Sequence, residues 1–274
     1  MSRAPAAPTT RPTTAAGRGG SHTDERLFFP GGGVFFWWQA GVVKALQQQY
    51  GLGRRNVSMS GASAGSISCV MAICNVNMDH AMEVALALAD EGRVFEGGCY
   101  SLMGVWGGMI ERWLLAVLPE DCHVTCSGKV NISVTSLTLA LTPLHRHVVN
   151  TFHSKADLID ACITSVYIPY FIDGHFSHSF RGTHCVDGSL LFFLHNTAWC
   201  ASEALGEDPG AYVFNQQDDT ALMQHGWGFL QTLDKEAFAT MFSLGFEYGT
   251  TWVHKQQQHQ QQHQPRHTTR VHSI

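Results

Sequence analysis

The sequence predicts an α/β domain built on a largely parallel sheet. Short apolar runs that read as strands alternate with stretches of helical period. Two of the strand-to-helix junctions are rich in glycine. The chain has 274 residues, 45% of them apolar, which is enough for one sizeable domain.

The elements follow in order. Residues 26–30, RLFFP, form a short apolar strand that runs into three glycines. Residues 37–50 carry a helical pattern through Trp38, Val42, Ala45 and Leu46. Residues 56–60, NVSMS, form a second strand, and 64–75 form a buried helix. Asp79 is expected to cap another helix, which stops at Gly92. Residues 129–142 and 145–152, joined across Thr142, Pro143 and Leu144, predict a hairpin. Ser154 opens a helix, with Asp157 at the capping-box spacing.

The ends differ in composition. Residues 1–22 are rich in Ala, Pro, Thr, Arg and Gly and contain no acidic residue. A disordered tail over 1–23 is expected, or a transit peptide, which would allow a plastid location. Residues 254–274 are a Gln/His tract expected to be a disordered tail. The folded domain is therefore placed at 24–253.

Composition excludes several roles. A net charge of −5 gives no basic field, so no nucleic-acid partner is expected. The eight cysteines are scattered. Cys122 and Cys126, with His123, make half a zinc site that no second pair completes, so neither a metal nor a cofactor is expected. Buried free thiols fit a reducing compartment. The most apolar stretch, 99–119, is interrupted by Glu111 and Arg112, so no transmembrane helix is expected.

Chemistry concentrates in three places. Gly61-Ala62-Ser63-Ala64-Gly65 puts a serine between a strand and a helix, the setting of a nucleophile elbow. A serine that only caps that helix is the simpler alternative. Pro30-Gly31-Gly32-Gly33-Val34 also joins strand to helix, so its N–H groups can surround an oxyanion. It is no phosphate loop, since the Gly-Lys-Ser/Thr sequel is missing. For the base, Asp173-Gly174 lies between short runs and reads as a hairpin turn. Asp187-Gly188 ends the strand THCV and is the better-placed carboxylate. His195 and His225 are the bases a Ser-acid-His triad would offer, but only about two strands fit before Ser63.

Together these pieces resemble the patatin-like phospholipase family. The resemblance covers about residues 27–190: the strand with Gly31-Gly32-Gly33, the helix with QAGV, the Ser63 pentapeptide, and ITSVYIPYFI followed by SFRGTHCVDGS. It implies a three-layer α/β/α sandwich and a Ser–Asp dyad without histidine. Ser63 would be the nucleophile, Asp187 the base, and the amides of Gly31, Gly32, Gly33 and Val34 the oxyanion hole. The reaction implied is hydrolysis of lipid acyl esters through an acyl-enzyme. The partners implied are a lipid substrate and a transient membrane or lipid-droplet surface, at a cytoplasmic, peripheral location, with no obligate protein partner. Two positions depart from the pattern: Phe35 and Phe36 replace a basic residue and a glycine, and Ser189 follows Asp-Gly.

An acyl site must be apolar. Residues 94–118 are rich in large apolar residues, including Trp106 and Trp113. They are expected to be either a lid or docking surface, or a core helix. Phe35, Phe36, Trp37 and Trp38 form a second aromatic group expected near the entrance. Three rival readings remain: a lipid-binding protein disabled at Phe35-Phe36, an acyltransferase, and a serine esterase with a histidine base.

Overall fold

The computed structural model describes residues 25–96, 104–137, 144–190, 211–228, 231 and 233–263. The predicted tail at 1–23 and residues 264–274 of the tail predicted at 254–274 lie outside them, as do His195, Cys99 and Cys200. Among the described residues seven strands form one mixed sheet flanked by helices, in the order β5-β6-β3-β2-β1-β7, with β4 paired to β3.

Strand β1 (Glu25–Phe29) leads through the glycine loop into α1 (Phe36–Ala45). Strand β2 (Val57–Ala62) leads through Ser63 into α2 (Ala64–Ile73). Helix α3 (Met78–Glu91) is capped by Asn77, not by Asp79. The Asn77 side chain accepts N–H bonds from Asp79 and His80, while the Asp79 carboxylate takes Lys44 at 2.7 Å. The cap is the last extended residue, whose side chain alone can fold back over the first turn. Helices α4 (Trp106–Val117) and α5 (Cys122–Cys126) precede the hairpin of β3 (Val130–Leu137) and β4 (Leu144–Val149). Ser154 caps α6 (Lys155–Ser165), accepting the Asp157 N–H as predicted.

Beyond α6 the position of the predicted hairpin is corrected. No strand flanks the Asp173-Gly174 turn. The hairpin lies further on, between β5 (His178–Phe180) and β6 (Thr183–Val186), across Arg181-Gly182. Both turn residues have positive φ, 48° and 78°, the twist that a two-residue hairpin turn requires. The sheet is parallel only through β3-β2-β1-β7. Pairings of β3 with β4 and β6, and of β5 with β6, are antiparallel, because those strands are joined by hairpins or reverse direction after α6.

Strand β7 (Tyr212–Val213) pairs with β1, and α7 (Thr220–Met223) follows it. Helix α8 (Lys235–His263) lies against α1 closely enough for the backbones to touch: a Cβ on Gly41 would fall 2.0 Å from Phe242 O, and one on Gly245 1.9 Å from Trp38 O. This helix runs ten residues past the expected end of the domain, so the predicted Gln/His tail is helical to His263. Glutamine is a good helix former, and the packed part of α8 has already met the cost of nucleation. The core holds Phe28, Phe29, Trp38, Met59, Ile132 and Phe214, all essentially without solvent contact.

Candidate active site

Two strand registers bring the chemistry together. Strand β2 runs parallel to the first half of β3, with Ala62 opposite Ser133. Strand β6 runs antiparallel to its second half, with Val186 opposite Thr135. Both lie on the edge of β3 that β4 leaves open, because β4 overlaps each of those stretches. One residue further along each strand, Ser63 and Asp187 therefore arrive from opposite directions at the level of Val134. There the Ser63 hydroxyl donates to Asp187 Oδ2 at 2.7 Å.

Ser63 sits in a turn that only small neighbours permit. Its φ and ψ are 51° and −129°, a conformation that costs a non-glycine residue about 1–3 kcal/mol. A Cβ on Gly61 would meet Gly65 O at 2.4 Å, and one on Gly65 would meet Phe29 O at 2.0 Å. The two glycines of the pentapeptide thus let β2, α2 and the end of β1 close on one another. The Ser63 N–H donates to Ser165 Oγ at 2.9 Å, and the Ser165 hydroxyl donates to Ser133 O at 2.7 Å. The elbow is tied to α6 and β3 by a buried serine relay.

Asp187 is fixed just as firmly. Its N–H donates to Tyr167 O at 2.8 Å, the Gly188 N–H donates to Ser165 O at 2.9 Å, and Oδ1 accepts the Ser189 N–H at 2.7 Å. Burial pushes its carboxyl up from 3.8 to about 6, against the opposing bonds from Ser63 and Ser189. Among the described residues no cation offsets the desolvation, so the carboxylate keeps a basicity useful near neutral pH. Asp173 has the opposite character. Partial burial works upward on it too, but bonds from the Tyr167 hydroxyl and from His175 outweigh this, and its carboxyl lies below the ordinary value. Its carboxylate is occupied within its own turn. His225 stacks on Trp227 at 4.1 Å, and the hydrogen bonds described for Ser63 and Asp187 do not include it.

The glycine loop lies against the serine. A Cβ on Gly31 would fall 2.2 Å from Ser189 Oγ and 3.1 Å from Ser63 Cβ. Residues Gly33–Phe35 then form a 3-10 turn that leads into α1. N–H groups at such a helix start have no partner within the helix and suit developing negative charge.

An apolar cavity opens from Ser63. Gly33, Val34, Phe36 and Trp37 line it on the loop side. Trp106, Met109, Ile110 and Trp113 line it from α4, at the i, i+3, i+4, i+7 spacing of one helix face. Of the aromatic residues expected to meet substrate, Phe36, Trp106 and Trp113 are in this wall. Phe35, at the end of the 3-10 turn, is not: its side chain is buried in the core. Trp38, expected near the entrance, is fully buried and donates its indole N–H to Asp219 at 2.8 Å. One helical step separates cavity-facing from core-facing residues, and the aromatic cluster by itself did not reveal which was which. Within residues 104–117, α4 walls the cavity on one face, while Leu115 on the other is about half exposed. Residues 97–103 lie outside the described residues.

Three polar residues at this site escaped sequence reasoning. Gln39 donates Nε2–H to Pro30 O at 2.7 Å, and Gln216 donates to Gly31 O at 3.3 Å. Ser165 carries the relay described above. A glutamine in the apolar face of α1 was a signal for Gln39, whereas nothing local marks Ser165 or Gln216. Among the described residues no group of His, Cys, Asp and Glu is arranged to hold a metal ion, and no helix is long and apolar enough to cross a membrane. The six described cysteines are free thiols, with Cys74 and Cys126 in contact at 3.4 Å.

The sequence model of the patatin-like phospholipase family matches residues 27–196. The chain is 33% identical over 130 residues to a 1-acylglycerol-3-phosphate O-acyltransferase of Mus musculus. It is 31% identical over 161 residues to an omega-hydroxyceramide transacylase of Homo sapiens. It is 31% identical over 143 residues to patatin-like phospholipase domain-containing protein 2 of Homo sapiens. These alignments take in 47%, 56% and 50% of this chain but only 30%, 28% and 27% of the relatives. The matched part thus spans less than a third of each relative's length.

Proposed function

The chain belongs to the patatin-like phospholipase family, and from that premise we propose that it hydrolyses fatty-acyl esters of lipids at Ser63, with Asp187 as its only base. The observation that carries this reading is the 2.7 Å bond from the Ser63 hydroxyl to a buried carboxylate whose affinity for protons is raised. In the first half-reaction Asp187 takes the Ser63 proton as Oγ attacks the ester carbonyl. Amides of Gly31, Gly32, Gly33 and Val34 hold the resulting oxyanion. Collapse breaks the ester C–O bond, and Asp187 returns the proton to the leaving alcohol. Water then attacks the acyl-serine, giving its proton to Asp187, and fatty acid and free Ser63 are regenerated. The acyl chain would lie in the cavity along Phe36, Trp106 and Trp113. Its apolar wall supports a lipid substrate presented at a membrane or droplet surface, and no cofactor enters the scheme.

An acyltransferase is the second reading, favoured by the names of two of the relatives above. It differs only in the last step, where an alcohol replaces water. Hydrolysis of a short-chain chromogenic ester and of phospholipid vesicles tests both readings, in wild type, Ser63→Ala, Asp187→Asn and Asp173→Asn. Activity should vanish in the first two variants and persist in Asp173→Asn. Faster product release when a lysophospholipid or glycerol acceptor is added, with the acyl group recovered on the acceptor, would favour transfer. A folded wild type that turns over neither substrate would leave the lipid-binding reading.

A further inference from the structure

The glycine loop is held from behind by two buried glutamines. Gln39, on α1, holds Pro30 O, and its own Oε1 accepts from Ser68 Oγ on α2 at 2.8 Å. Gln216 holds Gly31 O at 3.3 Å. A trans peptide places its C=O and the next N–H on opposite sides. Fixing the carbonyls of Pro30 and Gly31 therefore fixes the directions of the Gly31 and Gly32 N–H groups, turning them away from the glutamines.

Gln216 reaches this place through the edge strand. Strand β7 runs parallel to β1, with Leu27 opposite Tyr212 and Phe28 opposite Val213. The same register carried three residues on sets Gly31 opposite Gln216, at the end of the sheet where Ser63 lies. The segment is anchored around it: Phe214 N–H donates to Phe28 O at 2.9 Å, the rings of Phe29 and Phe214 stack at 4.9 Å, and Asp219 holds Trp38. Gln216 is buried, and its Oε1 has no partner among the described residues. An apolar side chain would fill that space without an unpaired oxygen, so what the amide adds here is its N–H groups. Its Nε2 also lies 3.3 Å from where a Gly32 Cβ would be, so the loop rests on the amide.

We propose that Gln216 is a positioning residue for the oxyanion site: from the edge strand it holds the Gly31 carbonyl and so aims the Gly32 N–H at the carbonyl under attack by Ser63. It lies beyond the 27–196 stretch that carries the family match, which gives the C-terminal part of the chain a task in the reaction. The proposal rests on the acyl-hydrolase reading for its catalytic consequence, but not for the clamp itself.

The test uses the full chain with Gln216→Met, which keeps the length and removes the donor, and Gln216→Glu, which sets an acceptor against the carbonyl. Gln217→Ala, at the exposed neighbour, serves as the control. Three quantities are read: kcat and KM on a soluble ester, the rate of inactivation by a serine-reactive phosphonate, and amide hydrogen exchange in peptides spanning 29–36. Both variants should lose roughly tenfold to a hundredfold in kcat and in inactivation rate, below the cost of deleting an oxyanion donor outright. KM and the acid limb of the pH profile should not move, and exchange at 29–36 should quicken while the rest of the sheet keeps its protection. Unchanged exchange at 29–36 with unchanged kcat overturns the clamp. So does a loss of activity accompanied by faster exchange throughout the sheet, which would mark a purely structural residue. If wild type turns over no ester, exchange at 29–36 still decides the clamp, and the hydrolase reading falls separately.

Discussion

Replacing Asp187 by asparagine should abolish turnover and make the protein more stable at neutral pH. The carboxyl binds its proton more tightly in the folded chain, at about 6, than at the ordinary value of 3.8. Folding is therefore favoured in full below 3.8, and that contribution is lost as the pH rises through 6. Above pH 6 the buried charge costs the native state about 3 kcal/mol, at 1.4 kcal/mol for each unit. Asparagine is neutral throughout and can keep the local bonds: its oxygen accepts from the Ser189 N–H, and its amide donates to Ser63 Oγ. At pH 8 Asp187→Asn should accordingly melt higher, by roughly 6–12 °C for a domain of this size. The gain should shrink through pH 6 and vanish near pH 4. Calorimetry at pH 4, 6 and 8 measures it, beside an ester assay in which wild-type kcat/KM falls tenfold per unit below pH 6. A variant no more stable than wild type at pH 8, or equally stabilised at pH 4, would refute the claim that desolvation of Asp187 underlies its basicity.

Other perturbations follow from the same geometry. Ser63→Gly should be inactive yet more stable by about 1 kcal/mol in urea denaturation, since glycine accepts φ of 51° without strain. Gly31→Ala should lose activity even if folded, because its methyl would displace Ser189 and crowd Ser63. Kinetics with a phosphonate probe would register that as lost inactivation. Trp113→Ala should cost about 3–5 kcal/mol of stability, and Trp113→Phe should alter the preference for acyl length while leaving turnover of the shortest esters intact, as a chain-length series would show. Asp173→Asn should keep its activity, and chromogenic-ester turnover that fell with it would mean that this turn, too, supports the dyad.

Much of this protein is legible in its sequence because it depends on neighbours along the chain. Gly61 and Gly65 announce a turn that no larger residue allows. Apolar spacing gives α1 and α3, and the Ser154 cap gives the start of α6. The family resemblance already rests on such local pieces, read in order. What the sequence left open depends on contacts distant in the chain. The antiparallel side of the sheet follows from where β6 returns after α6, and the hairpin sits at Arg181-Gly182 because two consecutive residues there adopt positive φ. Phe35 and Phe36 look alike in the sequence and both are buried in the core, but one helical step puts only the second in the cavity wall. Serine and aspartate were candidates from their motifs alone, but only the two registers on β3 bring residues 63 and 187 to one place. Gln216, beside Gly31 across 185 residues, has no local signature at all. Propensity and turn chemistry act over a few residues and can be read from the chain. Burial, basicity and the aim of an amide are set by what packs against them, and that is decided only when the sheet closes.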